Sequence, residues 1–328
     1  MIINYLFIAS AGYLLGILFI FIFRKVALKY KILTFKTIPL VGGLAIALSF
    51  ILVSLFGLFI CQGLYTETIG IIFASSVMLI FGVIDDWREL SIRAKFIVQI
   101  VAVSILILFG VRTQIVYIGD FLNLIITYVW ILAITNAFNH LDVIDGLATG
   151  CAAIASLAFF VVALLNGDTR IAILSLVLVT ASLACFIYNF PPARIYIGNS
   201  GSHFLGFTLA AIALTISYAP MTRKIALFSP LLILGFPIFD TAFLILMRAS
   251  KQKSIFKKSN DHLVFRFLRL GYSKRKALLL LLILSLFFSF SGILVSQVSN
   301  ISGLIIIGSV LIVTLILTRK MASVSIDN

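Results

Sequence analysis

Eleven stretches of almost unbroken apolar sequence, joined by short polar connections, leave this chain very few ways to fold. They fall near residues 2–23, 40–60, 68–84, 96–110, 121–138, 148–165, 169–187, 203–218, 225–247, 277–297 and 301–318. Each is long enough, or nearly so, to cross ~30 Å of hydrocarbon. Backbone groups in a bilayer must be satisfied within their own segment, so the runs are expected to be helices. The expected fold class is all-α: a polytopic membrane bundle of about eleven transmembrane helices. With 62% hydrophobic and 11% charged residues and a mean hydropathy of +1.22, little chain is left for a separate soluble domain. Residues 1–328 are therefore expected to form one membrane-embedded domain. The first run has no basic segment before it and no small-residue cleavage site, and reads as a retained span.

The net charge of +14 could suggest nucleic acid, but the cations sit in short connections between apolar runs. Positive-inside bias explains them better, and no nucleic-acid partner is expected. With the N-terminus outside, the inner connections hold 21 of the 25 Lys and Arg residues, leaving Arg112, Arg170, Arg223 and Lys224 outside. This places the C-terminus in the cytoplasm and gives inner loops at 24–39, 85–95, 139–147, 188–203 and 248–276. Cys61, Cys151 and Cys185 are scattered and show neither metal nor disulfide spacing.

Ionisable groups near a membrane are costly and point to function. Asp85, Asp86, Asp142, Asp145, Asp240 and Asp261 all fall at or near the inner face, as do His140, His203 and His262, the only histidines. Glu67, Asp120 and Asp168 fall outside. A gathering on one face suits a site open to soluble metabolites. An ion pathway would instead stagger acids through the bilayer, where only Asp240 is a candidate. No internal repeat of the transporter kind is visible.

The adjacent carboxylates Asp85 and Asp86 end one apolar run, and Lys95 opens the next. Negative charge at a helix C-terminus opposes the macrodipole. Either a divalent metal holding a phosphorylated substrate offsets that charge, or the pair is solvated beside Arg88 and Arg93. Asn136, Asn139, His140, Asp142 and Asp145 crowd ten residues of the third inner loop, a set able to ligate a hard cation or hydrogen-bond a sugar or base. In the fourth loop, Gly198-Asn199-Ser200-Gly201-Ser202-His203 opens onto a helix, a natural seat for a phosphate. In the fifth, Ser259-Asn260-Asp261 can cap a short helix stopping at Gly271, with His262, Arg266 and Arg269 on one face. That stripe could meet lipid headgroups or an anionic nucleotide-sugar. Pro237 is expected to kink the ninth span.

Taken together these loops resemble the polyprenyl-phosphate N-acetylhexosamine-1-phosphate transferases. The resemblance rests on Pro39…Gly42-Gly43, Asp85-Asp86…Lys95-Phe96…Gln99, Asn136…Asn139…Asp142…Asp145-Gly146, Gly198…Gly201-Ser202…Leu205-Gly206-Phe207, Pro237…Asp240-Thr241 and Asp261-His262…Arg266, in order. It implies transfer of a sugar-1-phosphate from a UDP-sugar to a polyprenyl phosphate at the cytoplasmic face of the bacterial inner membrane. UMP is released, a cell-envelope glycan is begun, and the cofactor is Mg2+ or, in its place, Mn2+. The implied catalytic residues are Asp85, Asp86, Lys95, Asp145 and His262. Asn136, Asn139, Asp142, Gly201, Ser202, Arg266 and Arg269 would bind substrate, and Asp85, Asp86 and Asn199 would hold the metal. A second copy of the chain is a candidate partner, alongside membrane lipids.

Two departures bear on this. Asn199 stands where the family usually carries an aspartate, and Phe265 stands near a position often held by a further histidine. The triple histidine of the pentapeptide-substrate branch is missing, which favours a GlcNAc-type donor. Two rival readings follow: an impaired relative that binds lipid phosphate or UDP-sugar without turnover, and a transporter.

Overall fold

The computed structural model describes residues 2–61, 63–218, 223–252 and 260–325. The chain separates into two compact units, residues 1–217 and 218–328. Both are helical, and the protein is an all-α, multi-pass membrane protein. Among the described residues, eight helices are long and apolar enough to cross a bilayer, or nine if one bent pair counts as a single span.

The first unit contains α1 (Ile2–Tyr30), a two-residue-per-strand hairpin of β1 (Thr34–Phe35) and β2 (Ile38–Pro39), and α2 (Gly42–Cys61). Then come α3 (Thr66–Trp87), α4 (Ile92–Leu108), α5 (Gly119–Leu141), α6 (Leu147–Leu165), α7 (Thr169–Asn189) and α8 (Gly198–Thr215). The apolar runs of the sequence coincide with these helices, but α4 and α8 are not among the eight. At 17 residues α4 is short, and Arg93 and Lys95 occupy its first turn. Helix α8 opens with a polar turn, and 15 of its 18 residues are buried. A helix covered on all sides belongs at the centre of a bundle rather than against lipid. Helices α3, α5 and α2 pack around it, while α7 joins α1, α2 and α6. Small residues make the closest contacts: a Cβ on Gly82 of α3 would lie 2.4 Å from Ser200 Cα, and one on Gly43 of α2 would lie 2.2 Å from Gly201 N.

The hairpin between α1 and α2 was not expected from the loop's sequence. It ties into the segment before α8: Tyr196 N–H donates to Pro39 O at 2.8 Å and Gly42 N–H to Tyr196 O at 2.9 Å.

The second unit contains a short 3-10 turn (Lys224–Phe228), α9 (Ser229–Ile233), α10 (Gly235–Ser250), α11 (Leu263–Arg269), α12 (Lys274–Gln297) and α13 (Asn300–Ala322). The turn and α9 meet α10 at a 70° bend. The break falls at Leu234, and Pro237 lies in the first turn of α10. Proline lacks only an N–H that would be unpaired there anyway, so it starts the second helix rather than kinking one span.

Candidate active site

Asp85 and Asp86 occupy the last turn of α3, on adjacent residues, and so point to different partners. Asp85 is buried at 3% exposure. Its Oδ2 meets Lys95 Nζ at 2.5 Å, and its Oδ1 accepts from Leu90 N–H at 2.8 Å. Ser91 caps α4 through Ala94 N–H, which sets Lys95 in the first turn of that helix, facing back to Asp85. Asp86 reaches across to α8. Its Oδ1 accepts from Asn199 N–H at 2.6 Å and its Oδ2 from Ser200 N–H at 3.0 Å. Its carboxylate is thus the anion at the N-terminus of α8, where the dipole favours it. Gly198, at φ +69°, permits the approach, since a Cβ there would come within 2.5 Å of Asp86 Oδ2.

This corrects the reading of residues 198–203 as a phosphate seat. The N–H groups that would cradle a phosphate already hold Asp86. Gly201 and Ser202, expected to touch substrate, are buried instead. Gly201 packs on Gly43, and Ser202 Oγ accepts from Asn139 Nδ2 at 3.0 Å. Asn139 also donates to Asn199 Oδ1 at 3.1 Å, and Asn136 pairs with Gln99 through Nδ2 to Oε1 at 2.9 Å. The side chains of Asn136 and Asn139 therefore bridge α5 to α4 and to α8.

Asp142 follows α5 directly, and Asp145 lies three residues on. Asp145 Oδ2 accepts from Ala193 N–H at 3.2 Å. No hydrogen bond or ion pair reaches Asp142 among the described residues. Asp142 keeps part of its surface open, yet dense surroundings push its pKa up to about 7. Burial is the larger cause, followed by the carboxylates Asp86 and Asp145. A carboxylate raised by two like charges is stabilised by an added cation. Among the described residues no three His, Cys, Asp or Glu side chains converge as a closed metal site. Mg2+ commonly takes one or two carboxylates and fills its remaining positions with water and substrate phosphate, so this donor set fits it.

Two residues beyond the sequence-based set shape this region. Asn189 Oδ1 accepts from Gly146 N–H at 3.0 Å, and its Nδ2 donates to Ile195 O at 2.9 Å, so one amide holds both acidic-loop connections together. Tyr196 feels Asp145 and Asp142, which together with burial, the larger cause, raise its phenol above the usual value. The phenylalanine and two prolines after Asn189 signal a loop; nothing in the spacing signals that its amide and Tyr196 face the acids.

In the second unit, His262 Nδ1 lies 2.8 Å from Asp240 Oδ2, and Asp240 Oδ1 accepts from Leu263 N–H at 3.1 Å. Asp240 thus caps α11, correcting the expectation that Asn260 and Asp261 do so. Ser259, with Lys253, Lys257 and Lys258, lies outside the described residues. Asp261 is fully buried, with Lys251 Nζ at 2.6 Å and Arg248 Nη1 at 3.9 Å. The expected basic stripe is also split. Arg269 is exposed, whereas Arg266 is buried at 1% over the Phe243 ring, and its Nη1 donates to Met321 O and Val324 O. A cation on the carbonyls ending α13 complements that helix's dipole. Arg266 is a clamp on α13, not an arm reaching for substrate.

A family model described as glycosyl transferase family 4 matches residues 68–217. Over 285 residues, 83% of this chain and 77% of the relative, the sequence is 32% identical to a probable undecaprenyl-phosphate N-acetylglucosaminyl 1-phosphate transferase of Bacillus subtilis (strain 168). The chain belongs to glycosyl transferase family 4. The chain is also similar to a decaprenyl-phosphate N-acetylglucosaminephosphotransferase of Mycobacterium tuberculosis (strain ATCC 25618 / H37Rv), 32% identical over 281 residues, and to an undecaprenyl-phosphate alpha-N-acetylglucosaminyl 1-phosphate transferase of Escherichia coli (strain K12), 27% identical over 308. These alignments cover 74% of this chain and 68% of the former, and 86% of this chain and 81% of the latter. The family 4 match runs from α3 through α8 and so contains Asp85, Asp86, Lys95, Asp142, Asp145 and Asn199.

Proposed function

We propose that this protein transfers N-acetylglucosamine-1-phosphate from UDP-N-acetylglucosamine to a polyprenyl phosphate, such as undecaprenyl phosphate, releasing UMP and beginning a cell-envelope glycan. The observation that carries this is one helical unit holding four carboxylates and Lys95 at the ends of membrane helices, with Asp142 lacking a counter-charge. A phosphate of the lipid acceptor attacks the donor β-phosphorus, and the bond to the bridging oxygen breaks as UMP leaves. At neutral pH the acceptor phosphate is already largely ionised, so placement matters more than proton removal. Lys95 is the group able to neutralise charge on the diphosphate, and Asp85, gripped by Leu90 N–H, fixes where Lys95 rests. Asp142, the carboxylate without a partner among the described residues, would hold Mg2+ together with substrate phosphate; of the metal ligands that the resemblance implies, Asp85 and Asp86 already have donors on both oxygens, and Asn199 adds an amide oxygen without charge. When bound, the cation would supply further charge neutralisation on the diphosphate. Asp86 orders the N-terminus of α8 below these groups.

The topology that suits this chemistry has eleven spans, the N-terminus outside and the acidic loops in the cytoplasm of a bacterium, where UDP-sugars occur. Reagents that cannot cross the membrane, applied to single-cysteine variants in loops 85–95 and 139–147, test it; labelling from outside intact cells contradicts it. The activity itself is tested in nanodiscs with radiolabelled UDP-N-acetylglucosamine, undecaprenyl phosphate and Mg2+. Labelled lipid and UMP in equal amounts are expected. Asn199 supports a second reading, a relative that binds UDP-sugar without turnover, because a neutral amide stands beside Asp86. Saturable binding with no lipid product favours that reading.

A further inference from the structure

His203 is a buried polar side chain without a stated task. It is 1% exposed, and neither ring nitrogen has a hydrogen-bond partner among the described residues. Leaving such a group unsatisfied inside a membrane bundle is unfavourable, and a leucine, methionine or phenylalanine would fill the space without that penalty. Packing alone therefore does not account for it.

Its position is informative. On α8, His203 lies one turn after Ser200, whose N–H holds Asp86. Its ring rests on Phe81, with centroids 5.4 Å apart, and Phe81 lies one turn before Asp85 on the facing helix α3. The imidazole thus sits one turn inward of the paired carboxylates. Lys95 and Asp85 are bound to each other at 2.5 Å in the resting arrangement. A lysine ammonium drawn toward a substrate phosphate loosens that contact, and where it lets go a buried carboxylate oxygen is left in need of a donor.

We propose that His203 is a positioning residue of the transfer site, held in reserve so that its ring N–H takes over the Asp85 oxygen that Lys95 releases to substrate. The proposal rests on the transfer reaction given above for its catalytic consequence, while the exchange of partners at Asp85 rests on the unpaired ring of His203 and its place on α8 against Phe81, one turn from Asp85. A neutral imidazole carries one N–H in either tautomer, so no protonation change is required. The resting state keeps the donor unpaired, and the engaged state satisfies it. The exchange lowers the cost of moving Lys95.

A double-mutant cycle tests the exchange without reference to turnover. Full-length wild type, Lys95→Met, His203→Leu and the double variant are compared by thermal unfolding in nanodiscs. The melting temperature is expected to fall at least twice as far for Lys95→Met in the His203→Leu background as in wild type, because Asp85 then has neither partner. Equal falls overturn the proposal. If His203→Leu does not fold, His203→Met serves as the apolar variant. The catalytic arm measures UMP release. His203→Leu is expected to lower kcat roughly 10- to 100-fold at unchanged KM for the UDP-sugar, with most of the loss recovered in His203→Gln, which keeps an N–H donor. A wild-type kcat in His203→Leu overturns the catalytic role. If wild type itself releases no UMP, the transfer reading fails, and the cycle still decides whether His203 backs up Lys95.

Discussion

The two units use the same residue types to opposite ends. Among the described residues of the second, the buried carboxylates have partners: Asp240 lies against His262 and Asp261 against Lys251 and Arg248, while the Nη1 of Arg266 donates to carbonyls at the end of α13. In the first, Asp85 is paired with Lys95 and Asp86 caps α8, but among the described residues Asp142 has no partner and lies beside two further carboxylates. Saturated ionic clusters hold a fold together and resist new ligands, while an uncompensated carboxylate gains from one. The difference leaves the first unit with a carboxylate that an added cation would stabilise.

The largest effect expected to sharpen this contrast comes from Lys95→Met. Loss of one group that neutralises developing charge is expected to cut UMP release by roughly 10²–10³-fold. Turnover within about threefold of wild type would remove Lys95 from the chemistry. Arg266→Met should behave in the opposite way, losing about 1–3 kcal/mol of stability as the Met321 and Val324 carbonyls lose their donor, with turnover per folded molecule kept within about twofold. A selective loss of turnover in that variant would return Arg266 to substrate binding.

Asp142 supplies a pH test. A cation binds its ionised form, so apparent Mg2+ affinity should rise about tenfold per pH unit below 7 and level off above it. The dependence should flatten in Asp142→Asn. The stability sign runs the other way. Because the folded pKa lies above the unfolded value near 3.8, the stability contributed by the protonated acid is full below that value and is lost as pH rises through 7. Asp142→Asn should therefore melt higher than wild type at pH 8 in metal-free buffer and equal it near pH 4; no gain at pH 8 would contradict the uncompensated charge. The smallest expected effect is Asn199→Asp, which should lower the Mg2+ concentration for half-maximal activity about tenfold by adding a ligand charge. An unchanged requirement removes residue 199 from the cation's surroundings.

The helical class and the acid-bearing loops were legible because hydropathy runs and the Asp85-Asp86, Asp142 and Asp145 signals are local. What was illegible depended on partners far along the chain. The N-terminus of α8 looks like an open anion seat until Asp86, 113 residues earlier, is brought onto it. The cap of α11 comes from Asp240, 22 residues before the capping position, while Asn260 and Asp261 looked sufficient locally. Periodicity puts His262, Arg266 and Arg269 on one side of a helix, but not which of them faces the end of α13.

The most direct test is a Mn2+ titration by electron paramagnetic resonance, with the protein in nanodiscs and the UDP-sugar either present or absent. The account predicts that wild type removes one equivalent of free Mn2+ signal when the UDP-sugar is present and much less without it. Asp142→Asn is predicted to remove little in either case. Equal binding by wild type and Asp142→Asn would contradict the claim that the carboxylates of the first unit receive a cation together with a diphosphate.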